Sequence, residues 1–182
     1  MRFLRINAQD PKSLQLADSL MRPLYLSAFP RVERRPWNEL VDLIAKQPAF
    51  RAHIIYIEDK PVGFFNYWEF PSGIIYGEHL AIYPENRQKG LGTLFLEKLK
   101  DMGGDRMIFE VEIPNNPLAK RRINFYERNG FVLVDNRYWQ PPYHDDLKPF
   151  EMKLMCSAEI KDTINVDKAI SELYQLVYNY KQ

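Results

Sequence analysis

A strand that runs through a glycine-containing turn into an amphipathic helix constrains the fold of this chain more than any other feature. The strand is EHLAIY, residues 78–83, and the turn and helix follow as PENRQKGLGTLFLEKL, residues 84–99. The apolar residues on one face of this helix are Leu91, Leu94, Phe95 and Leu99. A strand followed so closely by a helix favours a mixed α/β or α+β architecture.

The turn is predicted to bind a phosphate or pyrophosphate. Gly90 and Gly92 allow close approach to the backbone, and the first N–H groups of a helix attract anions. Arg87 and Lys89 add positive charge. No lysine follows Gly92, as a P-loop requires, and the third glycine of a dinucleotide fingerprint is absent. A plain helix start with a solvated basic loop is the alternative, because the glycine pattern is short.

Alternating and helical patterns elsewhere predict further strands and helices around this unit. The predicted strands are Met1–Ile6, Ala52–Ile57, Val62–Phe70, Ile74–Tyr83, Met107–Ile113, Phe131–Val134 and Phe150–Cys156. Helices are predicted from about residue 10 to 29, from 37 to 45, after 91 and after 114. This order predicts an α/β or α+β sheet with mixed strand directions. We expect one domain, 1–182, in which about 165–182 form an appended C-terminal helix with exposed Tyr178 and Tyr180.

The composition narrows the classes of partner. The chain has 25 basic and 24 acidic side chains in 182 residues, so no strong net field attracts nucleic acid or an anionic membrane. Cys156 is the only cysteine, which excludes an intramolecular disulfide and a cysteine-rich metal site. We find no apolar run long enough to span a bilayer. We therefore expect a cytoplasmic protein, monomeric or homodimeric, with no nucleic-acid or membrane partner and no metal.

Two motifs together resemble a known superfamily. Residues 87–92 (RQKGLG) match the pattern R/Q-x-x-G-x-G/A, and residues 125–131 (FYERNGF) are similar to a helix-ending Tyr-Glu-x-x-Gly-Phe. In both, and in their separation, the chain resembles the GCN5-related N-acetyltransferase (GNAT) superfamily over about residues 50–135. The resemblance implies a mixed, mostly antiparallel central sheet with a splayed parallel strand pair, flanked by helices.

The resemblance also implies a site for acetyl-CoA. The pyrophosphate is expected on the turn formed by Arg87, Gln88, Lys89, Gly90, Leu91, Gly92 and Thr93. The pantetheine arm is expected along the backbone of Leu80, Ala81 and Ile82, and Tyr126 near the thioester sulfur. Ala119 and Arg122 depart from the asparagine and alanine that the family often has there. Either Arg121 or Arg122 could take over a cofactor contact, or both belong to a solvated basic helix face.

Amide formation from an amine and a thioester needs a proton acceptor on the amine side and a proton donor on the thiol side. Glu78, on the central strand, and Glu110, in Phe-Glu-Val-Glu, are the two candidates for the base. Each could equally be a charge paired with a nearby Arg or Lys. His79 is expected to point away from Glu78 by the strand alternation. Tyr126 is the candidate for the donor, or else a packed aromatic.

Two segments are rich in aromatic, proline and charged residues, 29–37 and 138–146, and the family resemblance implies that they wall an acceptor pocket. The candidate contacts are Tyr25, Glu33, Trp37, Tyr138 and Tyr143. Aromatic walls with a few polar groups suit a small amine. The alternative is that these segments are ordered loops packed by their own aromatic residues.

The expected function is acetyl transfer from acetyl-CoA to a primary amine of a small molecule or peptide, by direct attack in a ternary complex. A non-catalytic acyl-CoA-binding or sensing protein of the same fold is the alternative. A nucleic-acid or nucleotide-binding module is disfavoured by the near-neutral charge and by the missing P-loop lysine.

Overall fold

The central strand β4 (Ile75–Ile82) contributes to two compact units of the computed structural model, which describes residues 1–101, 104–134 and 137–180. The first unit consists of Met1–Glu69 and Glu78–Phe95, and the second of Phe70–Gly77 and Leu96–Gln182. The fold is the predicted mixed one: eight strands, mostly antiparallel with one parallel pair, flanked by helices. That the chain is a single domain stays a prediction.

The first unit holds the strands Arg2–Arg5 (β1), Phe50–Ile57 (β2) and Lys60–Glu69 (β3), together with the second half of β4. Its helices are Pro11–Leu16 (α1), Arg22–Ala28 (α2) and Trp37–Lys46 (α3), and the first half of Leu91–Lys100 (α4). A π-helical stretch, Ala17–Met21, connects α1 to α2. The second unit holds Met107–Val111 (β5), Phe131–Leu133 (β6), Tyr138–Gln140 (β7) and Phe150–Ser157 (β8), with the helices Pro117–Arg128 (α5) and Val166–Glu172 (α6). A second π-helical stretch, Leu173–Val177, follows α6.

In the first unit, β1, β2 and β3 form an antiparallel ladder, with β2 and β3 joined by a short turn. Most consecutive residues of β2 and β3 are buried, so both faces of these strands are covered, and the core includes Ile54, Phe64 and Trp68. Phe95 of α4 is fully buried and packs edge-on against Phe65, with ring centroids 5.0 Å apart. Because Phe95 anchors the first turns of α4, the preceding turn is held at a fixed place in this unit.

In the second unit, Ile75–Gly77 of β4 pair in parallel with Met107–Phe109 of β5. β8 then pairs antiparallel with β5, β6 and β7. The alternation predicted for β5 is present, since Phe109 and Val111 are buried while Glu110 is only half-buried. This alternation directs Glu110 to the opposite face of the strand from Phe109 and Val111.

Several boundaries differ from the predictions. The first predicted helix is divided by the π-helical stretch, and Asp10 caps its start by accepting a bond from the N–H of Lys12 at 3.0 Å. β7 was not predicted, since three residues in a Pro-rich segment give little periodic signal. The C-terminal helix changes to a π-helix at Leu173, and residues 181–182 of that prediction lie outside the described residues. Among the helices that the structure describes, none has the length and apolar character to cross a membrane.

Candidate active site

The turn before α4 has the backbone that an anion site requires. Gly90 has a φ of +72° and Gln88 a φ of +62°, both in the left-handed region. The first bond of the helix runs from the N–H of Leu94 to the carbonyl of Gly90, at 3.2 Å. The N–H groups of Leu91, Gly92 and Thr93 therefore precede the intrahelical ladder and remain for an external acceptor.

The surface of this turn is open. Arg87, Gln88, Lys89 and Gly90 are all exposed, and a Cβ added to Gly90 would meet no described atom within 4 Å. Arg87 also donates from Nε to the carbonyl of Ile82, at 2.9 Å, which braces the turn against the end of β4. The positive charges and N–H groups of the turn fit a diphosphate.

The backbone of Leu80, Ala81 and Ile82 continues beyond the parallel ladder, which ends at the pair Gly77–Phe109. On its other side, β4 lies so close to β3 that a Cβ added to Gly63 would come within 2.2 Å of the Ala81 carbonyl oxygen. Glycine at position 63 thus permits the close packing of β3 on β4. A strand segment that extends past its ladder can accept an extended ligand by hydrogen bonding as an added strand.

Glu78 is enclosed by side chains of the first unit. Its side chain is fully buried, and Oε1 accepts from Arg35 Nη2 at 2.9 Å and Nε at 3.2 Å. Trp68 Nε1 donates to Oε2 at 3.2 Å. Burial alone would raise the pKa of Glu78, but the charge of Arg35 and the Trp68 hydrogen bond lower it below the ordinary value. Glu78 is therefore a buried, ionised member of a salt bridge.

The prediction that His79 points away from Glu78 is wrong. His79 Nδ1 lies 3.9 Å from Glu78 Oε2, and both side chains are buried. The alternation rule describes Cβ directions, and here the ends of two longer side chains still approach each other. His79 Nε2 also lies 2.8 Å from the carbonyl oxygen of Glu33, and burial lowers the pKa of the ring. A neutral His79 that bonds the backbone of the 29–37 segment has a structural role.

Tyr25 belongs to the core of the first unit. It is fully buried, and its hydroxyl accepts from the N–H of Arg35 at 2.9 Å and lies 3.3 Å from the carbonyl of the same residue. Trp37, at the start of α3, is half-buried with its ring centroid 6.0 Å from that of Tyr25. The burial of Tyr25 argues against the predicted contact with an acceptor and gives it the role of fixing Arg35. Glu33 and Trp37 are half-buried and remain candidates.

Glu110 is surrounded by phenol groups of the second unit. Tyr76 donates to Oε2 at 2.8 Å, and Tyr138 donates to Oε1. The hydroxyl of Tyr178 lies 3.0 Å from Oε1 and 2.9 Å from Oε2. Tyr143 donates to the hydroxyl of Tyr178 at 3.2 Å. Tyr138 and Tyr143 were both predicted to contact an acceptor. Tyr138 is fully buried and bonds Glu110 directly, whereas Tyr143 reaches it through Tyr178. We call these four tyrosines with Glu110 the tyrosine ring.

Two phenols of the tyrosine ring, Tyr138 and Tyr178, stay protonated. Burial, and then the negative charge of Glu110, raise the pKa of Tyr138 and of Tyr178 well above the ordinary value. These phenols donate to both oxygens of Glu110. Both oxygens are good acceptors only when the carboxylate is ionised, so the arrangement stabilises the anion. The ring therefore presents a half-buried negative charge on β5.

Tyr126 lies near the end of α5, packed on β5. Its ring centroid is 4.4 Å from that of Phe109 and 6.1 Å from that of Phe131. Burial raises the pKa of Tyr126, and the opposing effect of Arg122 is smaller. The Tyr126 hydroxyl therefore keeps its proton at neutral pH.

The two positions that depart from the family motif have local explanations. Ala119 is buried, and its N–H is bonded by the side chain of Asn116, which caps α5. Arg122 Nη1 lies 3.1 Å from Glu112 Oε2, in a pair of which both side chains are partly exposed. The helix face around Arg122 is therefore held by an ion pair on the surface.

Sequence reasoning missed Arg35, Trp68, Tyr76 and Tyr178. Arg35 and Glu78 are far apart in sequence, and no local pattern indicates their pairing. Tyr76 was visible, since it precedes Glu78 by two residues on β4, but its partner lies on another strand.

Among the described residues, no group of three or more His, Cys, Asp or Glu side chains is placed to hold a metal ion.

Comparison with known proteins identifies the family of the chain. Residues 48–133 match the family model described as an acetyltransferase (GNAT) domain. No curated protein sequence matches the chain significantly. A solved structure named as a putative acetyltransferase from the GNAT family, from Bacteroides thetaiotaomicron, is similar over the whole of both chains, with 33% identity and a TM-score of 0.88.

More distant structures share the fold. A spermidine N-acetyltransferase from Vibrio cholerae is 13% identical, with a TM-score of 0.62 over 90% of this chain and 98% of that one. An aminoglycoside 6'-N-acetyltransferase in complex with coenzyme A is 14% identical, with a TM-score of 0.53 over 85% of this chain and 95% of that one. The full-length match at 33% identity, together with the matching domain, shows that the chain belongs to the GNAT acetyltransferase family.

Proposed function

We propose that the protein transfers the acetyl group of acetyl-CoA to a primary amine of a small molecule or peptide, by direct attack in a ternary complex. The observation that carries this proposal is the open turn at residues 87–93. Gly90 has a left-handed backbone conformation there, and the first N–H groups of α4 have no partner within the helix. Among the distant structures, one binds coenzyme A, and two are named for the acetylation of an aminoglycoside and of spermidine, which are both amines.

The residues of the turn fit the diphosphate of coenzyme A. The N–H groups of Leu91, Gly92 and Thr93 would bind phosphate oxygens, and Arg87 and Lys89 would add positive charge. The backbone of Leu80, Ala81 and Ile82 would bind the pantetheine arm as an added strand. When bound, acetyl-CoA supplies a thioester whose carbonyl carbon a neutral amine can attack.

Glu110 is the residue that we propose as proton acceptor for the amine. An amine is mostly protonated at neutral pH and must lose a proton before it can attack. The half-buried carboxylate of Glu110 attracts the ammonium group, and one of its oxygens takes the proton. Glu78 is a poorer candidate, because its side chain is fully buried and bonded to Arg35.

Tyr126 is the residue that we propose on the thiol side. As the carbon–sulfur bond breaks, the sulfur gains an electron pair, and the phenolic proton of Tyr126 passes to it or bonds to it. The raised pKa of Tyr126 keeps that proton available at neutral pH. Its aromatic packing on Phe109 fixes the direction of the ring.

The test is calorimetric titration of the purified protein with acetyl-CoA, desulfo-CoA and ATP, for the wild type and two variants. Gly90→Leu blocks the turn, and Gly73→Leu is the matched control, because Gly73 also has a left-handed φ, of +78°. Both variants should lose similar thermal stability from backbone strain, on the order of 1–2 kcal/mol. Only Gly90→Leu should weaken acetyl-CoA binding, by about tenfold or more, since the added side chain occupies the space of the diphosphate.

A thiol-release assay with a panel of amines then measures turnover. Weak acetyl-CoA binding by the wild type, or equal affinity in the two glycine variants, would remove the turn from the proposal. Tight binding with no thiol release from any amine would favour the non-catalytic acyl-CoA-binding function.

A further inference from the structure

The C-terminal segment reaches the tyrosine ring through an unusual helical turn. The N–H of Tyr178 bonds to the carbonyl of Leu173, five residues earlier, at 3.3 Å. In a regular α-helix, a residue five positions on is rotated by about 140°. The π turn removes most of that rotation and places Tyr178 over the fully buried Leu173. Tyr178 therefore points into the unit, whereas helical spacing predicted an exposed side chain.

Tyr178 contacts Glu110 differently from the other phenols. Tyr76 donates to one carboxylate oxygen and Tyr138 to the other, but the hydroxyl of Tyr178 is within 3.0 Å of both. It also accepts a bond from Tyr143. A donor that bridges both oxygens restricts rotation of the carboxylate about its last bond. Because Tyr143 occupies the acceptor side of the Tyr178 hydroxyl, the phenolic proton is directed at Glu110.

We propose that Tyr178 is a positioning residue for Glu110: it fixes the plane of the carboxylate and keeps the carboxylate ionised. The C-terminal π turn is then part of the machinery that prepares the proton acceptor. This role rests on the proposed function only in that Glu110 takes the proton of the amine. The orientation and ionisation of Glu110 can be measured without any turnover.

The first test is kinetic and uses Tyr178→Phe, with Tyr180→Phe as the control. Tyr180 is an exposed tyrosine two residues away, so both variants lose one hydroxyl from the same segment. Tyr178→Phe should lower kcat about tenfold, the effect of a lost hydrogen bond to a charged group, with the KM for acetyl-CoA unchanged. The acid limb of its kcat–pH profile should move to higher pH, because the ionised carboxylate has lost a donor. Tyr180→Phe should match the wild type.

The second test measures the carboxylate directly by NMR titration of protein labelled with ¹³C at the glutamate carboxyl groups. Glu110→Gln identifies the resonance. In Tyr178→Phe that resonance should titrate at higher pH than in the wild type, and in Tyr180→Phe at the same pH. Superimposable titration curves for wild type and Tyr178→Phe would overturn the role of Tyr178. If the wild type releases no thiol but the Glu110 resonance still titrates at higher pH in Tyr178→Phe, only the proposed function is overturned.

Discussion

Glu78 and Glu110 are both glutamates of β-strands, but their neighbours give them different properties. Glu78 is fully buried and bonded to the guanidinium of Arg35 and the indole of Trp68. Glu110 is half-buried and accepts hydrogen bonds from neutral phenols. A guanidinium cancels the charge of a carboxylate, whereas phenols stabilise that charge and leave it in place. The first arrangement suits a structural ion pair, and the second suits attraction of an ammonium group.

The largest expected effect separates the two glutamates by activity. Glu110→Gln should lower kcat by about 10²- to 10⁴-fold, because the amide cannot take a proton from the amine. Its free energy of unfolding should change by only about 1 kcal/mol, since the amide oxygen accepts from the phenols on one side and the amide N–H groups donate to phenol oxygens on the other. The measurement is kcat from thiol release, with chemical denaturation of the same preparation.

Glu78→Gln is the matched variant on the other strand. Its free energy of unfolding should fall, since the variant leaves the charge of Arg35 buried without its carboxylate. The activity of each folded molecule should fall much less than in Glu110→Gln. A larger fall in kcat for Glu78→Gln than for Glu110→Gln would reverse the assignment of the base.

The second prediction concerns stability and the buried ion pair. Arg35→Met should lower the free energy of unfolding by about 3–5 kcal/mol, because the fully buried Glu78 loses its cation. The double variant Arg35→Met/Glu78→Gln should lose less free energy of unfolding than the two single variants lose in sum, by a coupling energy of about 0.5–3 kcal/mol. Additive effects in urea denaturation would mean that the pair is not coupled.

The contribution of the pair Arg35–Glu78 to stability should depend on pH in the acid range. The pKa of Glu78 is lowered in the folded protein, so its contribution to stability is full above its ordinary value of 4.5. That contribution is lost as the pH falls through the lower folded value. The double variant lacks it, so its unfolding free energy should fall less steeply than that of the wild type in this acid range.

The features that sequence predicted here depend on neighbouring residues. The strand, the Gly90 turn and the apolar face of α4 follow from short-range patterns, and the alternation in β5 separated Glu110 from Phe109. The features that it missed depend on residues far apart or on irregular backbone. Arg35 meets Glu78 only after the loop and strands fold, and Tyr178 faces inward only because the helix changes to a π turn. A regular sequence period predicts neither of these features.

The smallest expected effect comes from the exposed pair Arg122–Glu112, which contrasts with the buried pair Arg35–Glu78. Both pairs are close, at 3.1 and 2.9 Å, but the side chain of Arg122 is 44% exposed and that of Arg35 only 10%. Water and salt screen the exposed pair, so Arg122→Ala should change the unfolding free energy by at most about 1 kcal/mol. Raising the salt concentration should reduce that change further. The control is Lys46→Ala, which removes the exposed partner of Asp42 on α3.

Arg122→Ala also decides which role the residue has where the family often has alanine. An arginine that serves only to pair with Glu112 can be removed with an acetyl-CoA affinity within about threefold of the wild type, as Lys46→Ala should also show. A tenfold loss confined to Arg122→Ala would instead make Arg122 a cofactor contact. Distance alone does not distinguish these roles, because a 3 Å ion pair is strong only where water is excluded. Burial is therefore what makes Arg35 structural and leaves Arg122 replaceable.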